Sequence, residues 1–279
     1  MNNKHSTPVS VIIPYYNSSS TIRRALDSVI GQTRLPEEII IVNDGSGEAD
    51  LRFLEKTIAE LGSDVIPRIH LISLKQNAGP SAARNVGWEA SSQPYLAFLD
   101  ADDSWFRNKI KLQYEWMRNH PEVALTAHLC RSKDTPGSDV TTDANIDAKP
   151  IRRKQLLLSG FFSTPSVMLK RNLPFRFDES LKYSEDHYLW LLIVLNNLPA
   201  FFFRNYLAFI HKAAFGEGGL SSCLWEMEKG ELIQYWKLCR SGYINLFIYA
   251  SISFYSILKF LRRDIIVRLR NSKLENSKG

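Results

Sequence analysis

Four continuous apolar runs, each too short for a helix, recur through the first third of the chain. They are Val9–Pro14 (V-S-V-I-I-P), Glu38–Asn43 (E-I-I-I-V-N), Arg68–Leu74 (R-I-H-L-I-S-L) and Tyr95–Leu99 (Y-L-A-F-L). Runs without polar alternation mark strands buried on both faces. The segments between them carry helical signals. Ser18–Ser20 offers N-caps ahead of Ile22, Leu26, Val29 and Ile30, and Asp50–Leu61 mixes charged and apolar residues as an exposed helix does. Gly79-Pro80-Ser81 opens a short helix through Ala90, with Pro80 suited to its first turn. Strand followed by helix, repeated, predicts an α/β fold: a mostly parallel central sheet flanked by helices.

What stands at the ends of those runs narrows the chemistry. In open α/β sheets, ligands bind beyond the carboxyl ends of the strands. That edge would carry Pro14-Tyr15-Tyr16-Asn17, Asn43-Asp44-Gly45-Ser46 and Asp100-Ala101-Asp102-Asp103. No G-x-G-x-x-G follows the first strand and no G-K-[ST] phosphate loop occurs. An acidic, amide-lined edge accepts phosphates only with a cation between, and oxygen-only ligands suit Mg²⁺ or Mn²⁺ better than zinc. Clustered acids raise one another's pKa unless a positive group sits among them. If the backbone stays extended, Asp100 and Asp102 project to the same side. The same residues also read as a solvated turn whose Asp caps a helix starting near Trp105.

Further along, Asp134–Lys149 is polar, turn-rich and aperiodic, a long loop of the kind that forms lids. A helix over Ile151–Gly160, a strand over Ser163–Leu169 and a turn at Phe175–Asp178 follow. Glu185–Leu195 (E-D-H-Y-L-W-L-L-I-V-L) reads as a helix with two acids in its first turn, where the macrodipole favours them. Helix capping is therefore one reading of Glu185 and Asp186. A strand over Tyr206–His211 leads into the glycine-rich Gly216–Gly219, and Leu224–Trp236 is helical.

The segments V-S-V-I-I-P-Y-Y-N, N-D-G-S, N-A-G-P-S-A-A-R-N-V-G, F-L-D-A-D-D and S-E-D-H-Y-L-W occur in this order between Val9 and Ser222. Together they resemble the family 2 glycosyltransferases, inverting enzymes with the GT-A fold. The resemblance implies that Asp44 binds the donor's nucleobase, usually uracil, with Pro14 and Asn17 lining that pocket. It places Arg84 and Asn85 near the donor, Asp100 near the ribose and Asp102 on the metal, with Asp103 as the substitute ligand. Asp186 becomes the general base. His211 resembles a histidine that contacts metal or diphosphate, although the arginine usual before it is Ile210 here, with Lys212 after. On its own His211 reads as an ordinary strand-end histidine.

The implied function is metal-dependent, inverting transfer of a sugar, with Mn²⁺ or Mg²⁺, from a nucleotide-sugar such as a UDP-sugar. The acceptor would be a saccharide, free or linked to polyprenyl diphosphate, in cell-surface polysaccharide assembly such as O-antigen or capsule. The implied layout is a transferase domain over 7–222, with a nucleotide-binding half (7–103) and an acceptor half (104–222), followed by a helical extension over 223–279. A sugar-nucleotide nucleotidyltransferase would also use an α/β fold and acidic ligands, but normally shows a basic glycine-rich loop after the first strand. A membrane-bound scaffold with a degenerate transferase fold would be expected to lose the acids.

Charge and composition bear on partners. Of the formal charge of +6, +5 lies between Lys259 and Gly279, leaving +1 for the preceding residues. The basic balance therefore describes a tail and gives no reason to expect nucleic-acid binding. Three cysteines without C-x-x-C spacing suggest neither zinc nor a disulfide framework. The first residues, M-N-N-K-H-S-T-P, lack the apolar core of a signal peptide. Ser241–Leu258 holds eighteen uncharged residues, at the lower limit for a membrane span. The basic residues that follow favour the cytoplasmic side, and a single crossing would put the catalytic body opposite to nucleotide-sugar pools. A helix lying in the interface satisfies both demands, with Lys259, Arg262, Arg263, Arg268 and Arg270 on anionic headgroups. The expectation is peripheral or monotopic association with the cytoplasmic face of the plasma membrane, with a C-terminal helix packed on the body as the alternative.

Overall fold

A computed structural model describes residues 6–63, 65–132, 145–211 and 224–276. The four apolar runs form β1 (Ser6–Tyr15), β2 (Leu35–Asn43), β3 (Ile69–Ser73) and β4 (Tyr95–Phe98). All four are parallel, in the order β3-β2-β1-β4. Residues such as Val11, Ile12, Ile13, Ile40, Ile41 and Phe98 are inaccessible to solvent, as strands covered on both faces require. The intervening helices are α1 (Ile22–Ile30), α2 (Glu48–Ala59) and α3 (Pro80–Ala90). In α1 the buried Ile22, Ala25, Leu26 and Val29 fall at i, i+3, i+4 and i+7, the spacing of one helical face. The α3 helix lies close on β1 because Gly87 has no side chain; a Cβ there would stand 2.6 Å from Ile12 Cγ2.

The sheet continues beyond β4 with β8 (Met168–Lys170), β6 (Leu125–Ser132), β9 (Ala200–Ile210) and β5 (Ser104–Trp105), while β7 (Ala148–Pro150) pairs with β9. β8 is antiparallel to both β4 and β6, so β6 and β9 again point the same way as β1 and β4. Chain direction from β1 runs outward to β2 and β3 on one side and to β4 on the other. The carboxyl ends of β1 and β4 thus flank the switch point of the sheet. The remaining helices are α4 (Lys109–Asn119), α5 (Arg153–Leu158), α6 (Glu185–Leu195), α7 (Leu224–Arg240) and α8 (Leu246–Asn276).

Several expectations are corrected. The helix expected near Trp105 begins only at Lys109, because Ser104 and Trp105 pair with Phe209 and Ala208 of β9. The strand expected over Ser163–Leu169 opens with a helical turn at Thr164–Ser166, where Pro165 withholds a ladder donor, and becomes β8 only at Met168. The last expected strand, Tyr206–His211, is the second half of β9, and β6 was not anticipated. Of the long loop expected over Asp134–Lys149, Ala148 and Lys149 belong to β7, and residues 133–144 lie outside the described residues, as do Lys212 and Gly216–Gly219.

The C-terminal helices are continuous with the body. Tyr235 and Leu238 of α7 and Ile252 of α8 share one apolar core with Trp88, Phe98, Phe177 and Trp190. Within it, edge-to-face rings link Phe98 to Phe177 at 5.3 Å and Phe177 to Trp190 at 5.8 Å. Among the described residues no helix is long and apolar enough to cross a membrane.

Gly87→Ala tests the close packing of α3 on β1. Overpacking against the stiff, β-branched Ile12 is expected to cost about 1–3 kcal/mol, read as a lower urea midpoint with unchanged slope.

Candidate functional site

Three loops meet at the carboxyl edge of the sheet. The first follows β1: Asn17 adopts a left-handed backbone (φ 44°), which asparagine tolerates. It ties the first loop to the second, its backbone N–H donating to Ser46 Oγ at 3.0 Å and its side-chain Oδ1 accepting the Gly47 N–H at 3.1 Å. The second loop is Asn43–Ser46. Gly45 is obligatory there, since φ is +68° and a Cβ would meet the Gln76–Asn77 backbone at 2.5 Å. Asp44 is buried and accepts the Ala78 and Gly79 N–H groups at 2.7 and 2.9 Å, just before α3. Pro14 pairs with Val42 immediately upstream.

The third loop carries the acids. The Asp103 N–H donates to the Asp100 carbonyl at 3.0 Å, closing a tight turn in place of the extended backbone that would align Asp100 with Asp102. Arg84 of α3 supplies the positive charge that clustered acids need. Its guanidinium donates to Asp100 Oδ1 at 2.8 Å and to Glu185 Oε1 at 3.0 Å, and is only 5 % exposed. Burial alone would weaken its charge, but Asp100 and Glu185 hold its pKa above the ordinary arginine value. Asp103 accepts the His211 N–H at 3.2 Å, and His211 Nε2 lies 2.8 Å from Ser104 Oγ. Arg24 of α1 donates to the Asp102 carbonyl.

On the far side stands the first turn of α6. This helix is apolar around most of its circumference, with Leu189, Trp190, Leu191, Ile193 and Val194 buried, so its position is set by the core. Asp186, half-buried, accepts Thr164 Oγ1–H at 2.8 Å on one oxygen and the His187 N–H at 2.7 Å on the other. Glu185 is buried against Arg84; burial first, and the neighbouring Asp186 second, push its carboxyl up to about 7 despite the arginine.

The structure thus brings Asp100, Asp102, Asp103, His211, Arg84 and Asp186 to one edge, with Asp44 at the head of the same helix that carries Arg84. Asn85 is engaged elsewhere. Its side chain bridges the Phe177 N–H and carbonyl, at 3.0 and 2.9 Å, and reaches Glu179 at 2.9 Å. Three partners escaped the sequence reading, Arg24, Ser104 and Thr164, while Glu185, read there as a helix cap, is instead the buried partner of Arg84. None of the three has a local signal, because each meets its partner across a long loop in the chain.

The sequence model described as Glycosyl transferase family 2 matches residues 10–176. The chain belongs to this family. Among its relatives, an uncharacterized glycosyltransferase of Rickettsia bellii is 33% identical over 68% of this chain, which spans 27% of that protein. The chain therefore covers less than a third of that relative's length. The UDP-Glc:alpha-D-GlcNAc-diphosphoundecaprenol beta-1,3-glucosyltransferase of Escherichia coli is 28% identical, over 68% of this chain and 70% of that one. The S. aureus TarS structure in complex with UDP-GlcNAc superposes with a TM-score of 0.65 at 20% identity, covering 88% of this chain and 70% of that one. The mannosyltransferase PcManGT from Pyrobaculum calidifontis, in complex with GDP-Man and Mn²⁺, gives 0.65 at 17% identity, covering 90% and 69%. These likenesses bear out the GT-A-like α/β fold with its C-terminal helical extension.

Glu185 generates a pH test. Its folded-state pKa lies above the unfolded value, so the folded protein keeps a proton that the unfolded chain gives up. Stability relative to Glu185→Gln should therefore be fully present below about pH 4.5 and decline as pH rises towards 7. Paired thermal melts of the two proteins between pH 4 and 8 check the slope.

Proposed function

We propose that this glycosyltransferase-family chain transfers a sugar, with inversion, from a UDP-sugar to a saccharide carried on polyprenyl diphosphate. The supporting observation is the convergence on one sheet edge of the Asp44 loop, the Asp100–Asp103 turn and Asp186, joined through Arg84. The relative that acts on a diphosphoundecaprenol-linked sugar with UDP-Glc supports this choice of donor and acceptor.

In this reading Asp44 faces the nucleobase with lone pairs left beside its bonds to the Ala78 and Gly79 N–H groups, and Pro14 and Asn17 shape the pocket. Asp100, steadied by Arg84, takes the ribose side. Among the described residues no group of three or more His, Cys, Asp or Glu forms a ready-made metal cage. Mg²⁺ and Mn²⁺ sites need none, since one or two carboxylates plus substrate phosphates suffice. The donor set fits such an ion: Asp102 as ligand, with Asp103 or His211 as the second. Bound there, the ion would act as a Lewis acid on the charge gathering at the leaving diphosphate.

Asp186 acts as the general base. A carboxylate can remove the proton of an acceptor hydroxyl as it attacks the anomeric carbon. The Thr164 hydroxyl and the His187 N–H each bond one Asp186 oxygen and so fix its orientation. A single displacement needs no enzyme nucleophile. It inverts the anomeric centre through an oxocarbenium-like state.

Incubating the protein with UDP-glucose, UDP-galactose or UDP-GlcNAc, with and without Mn²⁺, tests the class. Metal-stimulated hydrolysis of one donor supports transfer, pyrophosphate release from a nucleoside triphosphate supports a nucleotidyltransferase, and silence towards all supports a scaffold. Asp186→Asn is expected to keep UDP affinity but lose about 100- to 10,000-fold in kcat. Asp102→Ala is expected to abolish Mn²⁺-dependent UDP binding, measured by calorimetry.

The proposed location is the cytoplasmic face of the plasma membrane, with α7 and α8 as the contact. Phe247 is 79 % exposed, Phe254 65 % and Ile265 57 %, alongside the exposed Trp225, Ile233 and Trp236. Two of the cations expected on headgroups point inward instead: Lys259 pairs with Glu231 and Arg263 with Glu228, both at 3.0 Å. Arg262 is exposed beside this apolar surface, and the side chains of Arg268 and Arg270 lie outside the described residues. Co-sedimentation with phosphatidylglycerol vesicles should fall about tenfold or more in the double variant Phe247→Ser/Phe254→Ser, given the transfer energy of two aromatic side chains.

A further inference from the structure

The helix α7 touches the catalytic segment at three successive turns. Gly230 packs on the residue two before α6. A Cβ there would lie 2.6 Å from Tyr183 Cβ and 2.9 Å from the Tyr183 carbonyl oxygen. Glycine inside a helix costs about 1 kcal/mol relative to alanine, so the close approach gives it a reason to be there. One turn on, the fully buried Gln234 donates from Nε2 to His187 Nδ1 at 2.9 Å. Another turn on, Lys237 Nζ holds Asp178 and the Ser180 hydroxyl, at the start of the loop that leads to α6.

His187 is the pivot of this set. It directly follows Asp186, and its own N–H is one of the two donors to that carboxylate. The ring is buried, and burial depresses its pKa, so it is neutral. Its Nε2 lies 2.9 Å from the Leu156 carbonyl, an acceptor, which assigns the ring proton to Nε2 and leaves Nδ1 to accept from Gln234. The imidazole is therefore held from α5 on one side and from α7 on the other. Tyr235 repeats the clasp, donating its hydroxyl to the Leu157 carbonyl at 3.0 Å. None of these residues reaches the Asp44 loop or the Asp100–Asp103 turn.

We infer that Gln234, acting through His187, is a positioning residue for Asp186, so that α7 belongs to the catalytic apparatus and is more than a tether. This rests on Asp186 being the base. The physical reason is geometric: proton transfer falls steeply when a carboxylate is displaced by about 1 Å from productive reach. A helix whose first turn is gripped at His187 cannot swing its neighbour out of line. Because donor groups sit on other elements, the expected signature is loss of turnover with nucleotide binding intact.

The test uses the full chain and the donor, among UDP-glucose, UDP-galactose and UDP-GlcNAc, that the wild-type protein hydrolyses fastest. Gln234→Leu is expected to lower kcat about tenfold or more while leaving UDP affinity in Mn²⁺ within twofold. His187→Leu should do the same, and the double variant should lose no more than either single one, because both break one link. Gly230→Ala, which pushes on Tyr183 from the same helix, is a second route to the same loss should Gln234→Leu fold poorly. Unchanged kcat in a folded Gln234→Leu, or in Gly230→Ala where Gln234→Leu does not fold, overturns the inference. So does an equal fall in kcat, UDP affinity and melting temperature, which marks a merely structural role. Asp186→Asn, run in parallel, separates the failures. If it retains turnover, the base assignment falls and this inference with it. If it is inactive while Gln234→Leu is normal, only the inference falls.

Discussion

The buried guanidinium of Arg84 is the interaction on which the site's architecture depends. It is nearly sealed from solvent, and it spans from Asp100, at the end of β4, to Glu185, at the start of α6. Removing one partner of such a buried group leaves charge uncompensated, at a cost of about 3–5 kcal/mol. The three groups therefore fix one another. Two elements separated by 101 and 16 residues from Arg84 are brought to a common edge by a single side chain. Repulsion among the acids, which sequence alone presents as a difficulty, is answered from α3.

The parallel half of the sheet was legible because its strands are covered on both faces and so must be apolar throughout. The second half was harder for physical reasons. β6 carries Thr126, His128 and Cys130 within its ladder, all buried or half-buried, so its composition looks polar. β5 has two residues and exists only because β9 offers it a partner. Pro165 breaks what reads as one strand into a helical turn and a shorter strand. Lys109 is fully buried, its Nζ 3.8 Å from the Trp105 ring centroid, where a lysine in a sequence suggests a surface.

Of the candidate site, the motifs singled out the acids and Asp186, and the fold brings these residues to one sheet edge. The motifs did not reveal their partners. Thr164 meets Asp186 across 22 positions, Gln234 meets His187 across 47, and Ser104 meets His211 across 107. Contacts of that span follow from tertiary packing and leave no periodic trace. The C-terminal helices illustrate the same point. Read as an appendage with a basic tail, they place Tyr235 and Leu238 in the main core and turn Lys259 and Arg263 inward to Glu231 and Glu228. Among the described residues, the face left outward carries Phe247, Phe254 and Ile265 with Arg262 beside them.

The central claim is that one nucleotide-sugar lies between the Asp44 loop, the acid turn and Asp186. A crystal soaked with UDP and Mn²⁺, with diffraction recorded at the manganese edge, tests it directly. The account predicts an anomalous peak beside Asp102, a uracil ring against Asp44, and the diphosphate directed towards the side on which Asp186 stands. Manganese or nucleotide bound away from that edge, or uracil and Asp186 facing separate cavities, would contradict it.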